Sequence, residues 1–295
     1  MISGRTQTAV GVGWRPELAL AIDEDPTIDF VEVTAENIDV HRLPASLCRL
    51  RERHLPITVH GLSLSLGGAE PLWQDRIHRL RQLAALLGAP LVSEHVAFVR
   101  AGGLEAGHLL PVPRTLSAME VLVENVLAVQ AVLRTPLALE NIASLIEWPE
   151  GELDEPAFFR ELLDRTDALL LLDVSNLYAN SRNHGWDAVG YLERMPLERM
   201  AYVHIGGGID RDGLYHDTHA HPLPEGPLEL LEELCARVRP PAVLLERDEE
   251  MNPGFDLQLE LARIRAAIER GRETAAWMLK TARCWPNAKA ISFAR

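Results

Sequence analysis

Eight short apolar runs recur along the chain, and most of them stop at a side chain that can bind a metal ion. Six runs end at or beside such residues, which are His60, His95, Glu140 with Asn141, Asp173, His204 and Glu246. The two earliest runs, residues 10–13 and 30–34, carry Arg15, Glu32 and Glu36 at or just beyond their ends. Core packing does not call for a charged side chain at the end of every buried strand. The pattern therefore predicts strands whose ends converge on one polar site.

Amphipathic stretches with helical spacing alternate with these runs. They follow the second to eighth runs at residues 45–53, 72–87, 115–133, 156–165, 186–195, 227–238 and 257–270. A strand followed by a helix, repeated eight times, predicts an α/β fold with a single (β/α)8 TIM barrel over residues 1–270. The pattern is lost beyond that point, so residues 271–295 are expected to form a C-terminal tail of uncertain structure. Two longer connections, residues 100–114 and 205–227, are expected to be substrate loops at the C-terminal face.

The composition and charge of the chain limit the classes of function that it can have. The 295 residues are 47% hydrophobic and 24% charged, as in a soluble globular protein with a sizeable core. A formal net charge of -14 disfavours nucleic acid as a partner, because phosphate binding needs clustered Lys and Arg. We expect no membrane association, since no signal peptide or membrane-length apolar segment is present. Three separated cysteines form neither a disulfide framework nor a metal pair, which fits a reducing cytoplasm.

The residues at the strand ends predict a metal site rather than a purely structural polar cluster. Ionised carboxylates are costly to bury without cations, and polyvalent metal ions supply that compensation. Histidines and carboxylates without a thiolate suit iron, manganese or zinc. The candidate ligands exceed what one ion takes, which favours two or three ions bridged by Glu140.

Several further positions leave alternatives open. Asp217 and His219 can place two ligands on one ion, or can belong to a solvated polar loop. Asn176 and His184 are expected in the loop after the sixth strand, within reach of a metal or a substrate. Glu32, Glu36 and Asn37 can orient ligand histidines or simply begin a helix.

Ten motifs of the chain resemble one family, called domain of unknown function 692, the multinuclear non-haem iron-dependent oxidases. They are GVGWRP (11–16), FVEVTAEN (30–37), VHGLSLSL (59–66), SEH (93–95), LEN (139–141), LDVSNLY (172–178), NHG (183–185), VH (203–204), DTH (217–219) and LE (245–246). The resemblance implies a xylose-isomerase-like barrel, similar also to barrel endonucleases with three metals. It further implies an enzyme that uses Fe(II)/Fe(III) and dioxygen to modify a cysteine of a ribosomally made precursor peptide. A small partner protein with a peptide-recognition domain would deliver that peptide.

The resemblance also implies roles for individual residues. His60, His95 and Glu140 would hold one iron, and Glu140 would bridge to a second iron. The second iron would be held by Asp173, His204 and Glu246, and a third by Asn176, Asp217 and His219. The three-metal endonucleases have a histidine at the position of Asn176, so an amide stands here in place of a stronger ligand. Asn141 and His184 are the candidate catalytic residues, as substrate-orienting or proton-transfer groups.

Three other functions remain open at this stage. The first is a zinc- or manganese-dependent hydrolase or isomerase on the same barrel, without redox chemistry. The second is a metal-dependent peptide-binding protein without catalysis. The third is a nucleic-acid endonuclease, which the acidic balance disfavours.

Overall fold

The apolar runs form the strands of a closed parallel barrel. A computed structural model describes residues 7–248 and 255–284. The strands there are β1 (Ala9–Gly13), β2 (Phe30–Thr34), β3 (Ile57–His60), β4 (Val92–His95), β5 (Ala97–Ala101), β6 (Leu104–Pro111), β7 (Leu137–Glu140), β8 (Leu169–Asp173), β9 (Met200–Ile205), β10 (Gly208–Arg211), β11 (Leu214–Asp217) and β12 (Ala242–Leu245). The barrel order is β1-β2-β3-β4-β7-β8-β9-β12, and β12 pairs with β1 to close it.

Helices connect the barrel strands on the outside. They are α1 (Ala19–Glu24), α2 (Ala45–Glu52), α3 (Gln74–Leu87), α4 (Leu116–Leu133), α5 (Glu155–Thr166), α6 (Val174–His184), α7 (Ala188–Arg194), α8 (Glu225–Arg237) and α9 (Leu257–Cys284). Thr115 and Asp154 begin α4 and α5, because each side chain accepts a hydrogen bond from the backbone N–H three residues later. Gly88 ends α3 in the left-handed region, at φ 64°.

Side chains alternate between the two faces of each barrel strand, and this alternation divides the hydrophobic core into two parts. One set of strand residues, including Val31, Val33 and Val59, packs outward against the helices. The other set fills the base of the barrel interior, with Phe30, Leu171 and Tyr202 among its fully buried members. Because side chains alternate faces with a period of two, the next inward positions toward the C-terminal ends carry the polar residues.

The predicted single TIM barrel is confirmed, and three local expectations change. The two long connections contain the hairpins β5–β6 and β10–β11, each antiparallel. Helix α6 begins directly after β8, where a loop was expected, so Asn176 and His184 lie on a helix. Helix α9 continues past the boundary predicted at residue 270 and ends at Cys284, while residues 285–295 lie outside the described part.

Helix α4 is the one helix among the described residues that is long and apolar enough to cross a membrane. Its residues Met119, Leu122 and Val126 are buried in the core that lies between the barrel and the helices. It also contacts α3 and α5, its neighbours in the outer layer. These contacts are those of a barrel crossover helix.

Candidate metal centre

The C-terminal ends of the barrel strands bring the predicted ligands to one face. Parallel register sets His95 beside Glu140 and Asp173 beside His204. The β10–β11 hairpin and the turn after it add two further side chains over the same face. The predicted ligands that meet here are His60, His95, Glu140, Asp173, Asn176, His204, Asp217, His219 and Glu246.

Glu140 lies at the middle of the cluster, and its two oxygens face different histidines. Oε2 is 3.4 Å from Nε2 of His60 and 3.2 Å from Nε2 of His95. Oε1 is 3.1 Å from Nδ1 of His204. A carboxylate that bridges two ions needs each oxygen to face its own set of donors, and Glu140 has this arrangement.

A second group of donors surrounds His204. Ligand atoms of Glu140, Asp173, His204 and Glu246 all lie within 4.8 Å of one another. Oε2 of Glu246 is 3.1 Å from Nδ1 of His204 and 3.2 Å from Nδ1 of His219. Glu246 therefore links this group to the side chains above it.

The third group combines β8 with the β10–β11 connection. Nε2 of His219 lies 3.2 Å from Oδ2 of Asp217 and 3.7 Å from Oδ2 of Asp173. The other oxygen of Asp173 accepts hydrogen bonds from the backbone N–H groups that begin α6, so only Oδ2 faces the cluster. The amide nitrogen of Asn176 donates to the carbonyl of Asn141 at 2.9 Å, which leaves the Asn176 amide oxygen for a ligand.

Several buried atoms of the cluster lack a hydrogen-bond partner. They are Oε2 of Glu140, Oδ2 of Asp173, both carboxylate oxygens of Asp217 and Nε2 of His219. Buried polar atoms in folded proteins are normally paired. A concentration of unpaired nitrogen and oxygen donors at one point fits bound cations as their partners.

The charges of the cluster support the same reading. Burial and the neighbouring Asp217 carboxylate raise the pKa of Asp173 well above its ordinary value. Burial alone would lower the pKa of His95, but attraction from Glu140 and Glu94 raises it to about 9. Burial acts to raise the pKa of Glu140, yet His204, His95 and His60 hold it below its ordinary value. Protons on the histidines thus offset the carboxylates, which is what a metal ion does in a cation site.

The cluster opens into a cavity of 740 Å³. Its deep end is lined by His95, Glu140, Asn176, His219 and Glu246. The outer wall carries Arg76, Arg79, Glu105 and His108, the last two from β6. A cavity of this size admits a peptide side chain and neighbouring backbone.

The two predicted catalytic residues take different positions. The Asn141 amide donates to the backbone carbonyl of Asp173 and accepts from its N–H, at 3.0 and 2.9 Å. It therefore fixes β8 beside β7 and positions Asp173. His184 lines a second, smaller cavity, where its Nε2 is 2.8 Å from the carbonyl of Ser144. The structure does not bring His184 into the cluster.

Some residues of the site were missed in the sequence or left undecided. Asp248 is grouped with His219 and Glu246 as a possible ligand and is paired with Arg15. Glu32, Ser93 and Tyr202 lie one inward layer below the histidines. Ser93 and Tyr202 each precede a ligand histidine by two positions, so their strand spacing was the available signal.

The chain belongs to a family described as the RiPP precursor modification enzymes MbnB/TglH/ChrH, whose sequence profile matches residues 9–269. A UPF0276 protein of Streptomyces avermitilis is 51% identical over 267 residues, which cover 88% of this chain and 55% of that protein. A UPF0276 protein of Caulobacter vibrioides is 37% identical over 270 residues, covering 89% of this chain and 95% of that protein. The chain thus spans about half of the Streptomyces relative.

Solved structures share the fold at low identity. An L-ribulose 3-epimerase has a TM-score of 0.61 at 16% identity, covering 94% of this chain and 98% of its own. The 3-keto-D-glucoside 4-epimerase of Escherichia coli has a TM-score of 0.58 at 16% identity, with coverages of 88% and 99%. A Thermus thermophilus protein soaked with zinc chloride has a TM-score of 0.59 at 22% identity, with coverages of 90% and 100%. These likenesses show that the TIM-barrel fold is shared.

Proposed function

We propose that this family member is a multinuclear iron-dependent oxidase that uses dioxygen to modify a cysteine residue of a ribosomally made precursor peptide. The observation that carries the proposal is the position of Glu140. Its two oxygens face separate histidine groups at the floor of a peptide-sized cavity. The family supplies the peptide substrate class, and the donor chemistry supports the metal.

The proposed ligand sets follow the three groups of donors. His60, His95 and Glu140 would hold the first ion, and Asp173, His204 and Glu246 would hold the second together with Glu140. Asp217, His219 and Asn176 would hold a third, with Asp173 facing it. When bound, iron supplies a thiolate-binding position and a redox partner for dioxygen.

The protein's own side chains would position the substrate and the ligands. Among the residues that the structure describes, the cluster includes no cysteine, so a soft donor at the centre would come from the substrate thiol. Asn141 would hold Asp173 in place through its paired backbone hydrogen bonds. His184 would hold the segment after β7 through the Ser144 carbonyl, which shapes the cavity wall indirectly. Arg76 and Arg79 would face the peptide at the outer wall.

A partner and a compartment complete the proposal. A small peptide-recognition protein would deliver the precursor, because a cavity of 740 Å³ accommodates only a few residues of a long peptide. Two described cysteines, Cys48 and Cys235, are free thiols, in keeping with a cytoplasmic enzyme.

The test uses protein purified without oxygen, loaded with Fe(II) and mixed with a Cys-containing peptide encoded beside its gene. We expect a change in peptide mass that requires iron and dioxygen and is lost when the peptide cysteine is replaced by serine. Turnover with zinc or manganese under nitrogen would instead establish the hydrolase or isomerase alternative. Tight peptide binding with no change of mass under any of these conditions would establish a binding protein.

A further inference from the structure

A chain of hydrogen bonds lies directly below the cluster, inside the barrel. Oγ of Ser93 is 2.8 Å from Nδ1 of His60 and 2.7 Å from the hydroxyl of Tyr202. The Tyr202 hydroxyl is 2.6 Å from Oε2 of Glu32. These four side chains are buried and join strands β3, β4, β9 and β2. We call this chain, His60–Ser93–Tyr202–Glu32, the relay.

The direction of donation along the relay follows from the hydrogens available. Tyr202 has one hydrogen and two acceptors within reach, Oε2 of Glu32 at 2.6 Å and Oγ of Ser93 at 2.7 Å. A carboxylate is the stronger acceptor and has no hydrogen to offer, so Tyr202 gives its single hydrogen to Glu32 rather than to Ser93. The Tyr202 oxygen then accepts from Ser93, and the Ser93 oxygen accepts from Nδ1–H of His60. Thr58 donates to the same Glu32 oxygen at 3.0 Å but has no part in the path to His60.

We infer that Tyr202 is a positioning residue that, through Ser93, keeps the proton of His60 on Nδ1 and leaves Nε2 free to bind a metal ion. The inference rests on the metal centre of the proposed function. Nε2 is the His60 nitrogen that faces Glu140, at 3.4 Å. Neutral His60 has two tautomers. The relay excludes the one with its proton on Nε2, because that tautomer has a bare Nδ1 and its protonated Nε2 cannot bind a metal ion.

Glu32 also connects the relay to a second ligand. Its Oε1 lies 2.8 Å from Nε2 of His204, although off the line of a hydrogen bond. His204 faces Glu140 and Glu246 with its other nitrogen. One buried carboxylate below the centre therefore contacts His204 of the second proposed ion site directly and reaches His60 of the first through the relay. Outer groups of this kind orient metal-binding histidines.

The first measurement compares Tyr202→Phe with Thr58→Val in the full chain. Each variant removes one donor to Oε2 of Glu32, and only Tyr202→Phe breaks the relay. We expect the affinity for Zn(II), measured by competition with a chelating dye, to fall about tenfold in Tyr202→Phe. Thr58→Val should lose far less. Ser93→Ala should resemble Tyr202→Phe, and the double variant should be no weaker than either single one, because both break the same path.

The second measurement needs no metal. Nitrogen-15 NMR of histidine-labelled metal-free protein, with His60 assigned from a His60→Gln variant, reports which ring nitrogen carries the proton. We expect Nδ1–H for the neutral ring in the wild type and a population of Nε2–H in Tyr202→Phe, with thermal melts confirming that each variant is folded.

A bare Nδ1 in the wild type, or equal loss of Zn(II) affinity in Tyr202→Phe and Thr58→Val, would overturn the relay. A wild-type protein that binds Zn(II) yet shows no iron-dependent turnover would count against the proposed function alone. The two failures are therefore distinguishable.

Discussion

Two buried polar regions of this barrel look alike in composition and differ in character. One is the metal centre at the mouth of the barrel, where the C-terminal ends of the strands meet. The other is a side pocket of 40 Å³, lined by residues that include Ser144, Glu155, Asn180, His184 and Trp186. Both contain a buried carboxyl group and a histidine. In the side pocket, Tyr191 donates to Glu155, and His184 pairs with the Ser144 carbonyl. At the mouth, carboxylate and histidine atoms are left without partners.

The pKa values of the two buried carboxyl groups are shifted in opposite directions. Burial raises the pKa of Glu155 to about 7, because the nearby Arg114 offsets only part of the cost. Glu140 is buried more deeply than Glu155, yet its pKa is lowered by three histidines around it. Glu140, kept ionised by several histidines within a cluster of donors, is a potential metal ligand, whereas Glu155 favours its protonated form and lies outside that cluster.

The sharpest test of this difference is the same substitution in both regions. Glu140→Gln keeps the shape but removes the bridging charge. We expect metal affinity to fall by more than about 100-fold, above the loss typical of groups outside the ligand sphere, and turnover to disappear. Glu155→Gln should retain full metal content and turnover. Metal analysis and peptide mass spectrometry on both variants measure these outcomes, and equal behaviour would erase the distinction between the regions.

The second test concerns stability against pH. Glu155 has a pKa of about 7 in the fold against 4.5 ordinarily, so the folded state favours the protonated acid. The stabilising contribution is complete below pH 4.5 and is lost as the pH rises through 7, by about 3 kcal/mol in total. Glu155→Gln stays neutral and should lack this loss. The measurement is urea unfolding of the metal-free proteins at pH 5 and pH 8.

The control for this pH test is Glu120→Gln, which removes an exposed carboxylate on α4. Its stability should follow that of the wild type between the two pH values. An unchanged pH dependence in Glu155→Gln would show that Glu155 is ionised in the fold, as Glu140 is.

The sequence alone could predict some residues of the metal centre and not others. The strand ends at His60, Glu140 and Asp173 were predictable, because a period of two fixes which residues face inward and parallel pairing brings strand ends together. Ser93 and Tyr202 obey the same period, two positions before their histidines, yet carried no signal alone. Their function depends on contacts across the barrel that only the closed fold creates.

The other differences between the predicted and the observed fold arise from local features of the chain. The hairpin turns Gly102–Gly103 and Asp212–Gly213 adopt positive φ, and both dipeptides are strong signals for two-residue turns. Helix α6 was obscured because its N-cap is Asp173, a residue read as the end of a strand. The position of His184 could not be predicted from the sequence, because the length of helix α6 sets its distance from the mouth of the barrel.

The smallest predicted effect lies on helix α6, which reaches both regions. Asn176 lines the cavity above the centre, whereas Asn180, one turn later, bonds the backbone of Ile142 and Ser144 beside the side pocket. Asn176→Asp adds a carboxylate ligand to the third group. We expect the weakest-bound Zn(II) ion to bind on the order of tenfold more tightly, because an ionised carboxylate is a better ligand than an amide.

Asn180→Asp is the matched control on the same helix. The carboxylate in Asn180→Asp cannot donate to the Ile142 carbonyl, just as the one in Asn176→Asp cannot donate to the Asn141 carbonyl, so both variants should lose stability. Asn180→Asp should leave the Zn(II) affinity unchanged. Competition titrations of the two variants with a chelating dye decide the outcome. If Asn180→Asp also raised the affinity for the third Zn(II) ion, any negative charge on helix α6 would have that effect. The specific role of Asn176 as a ligand would then be refuted.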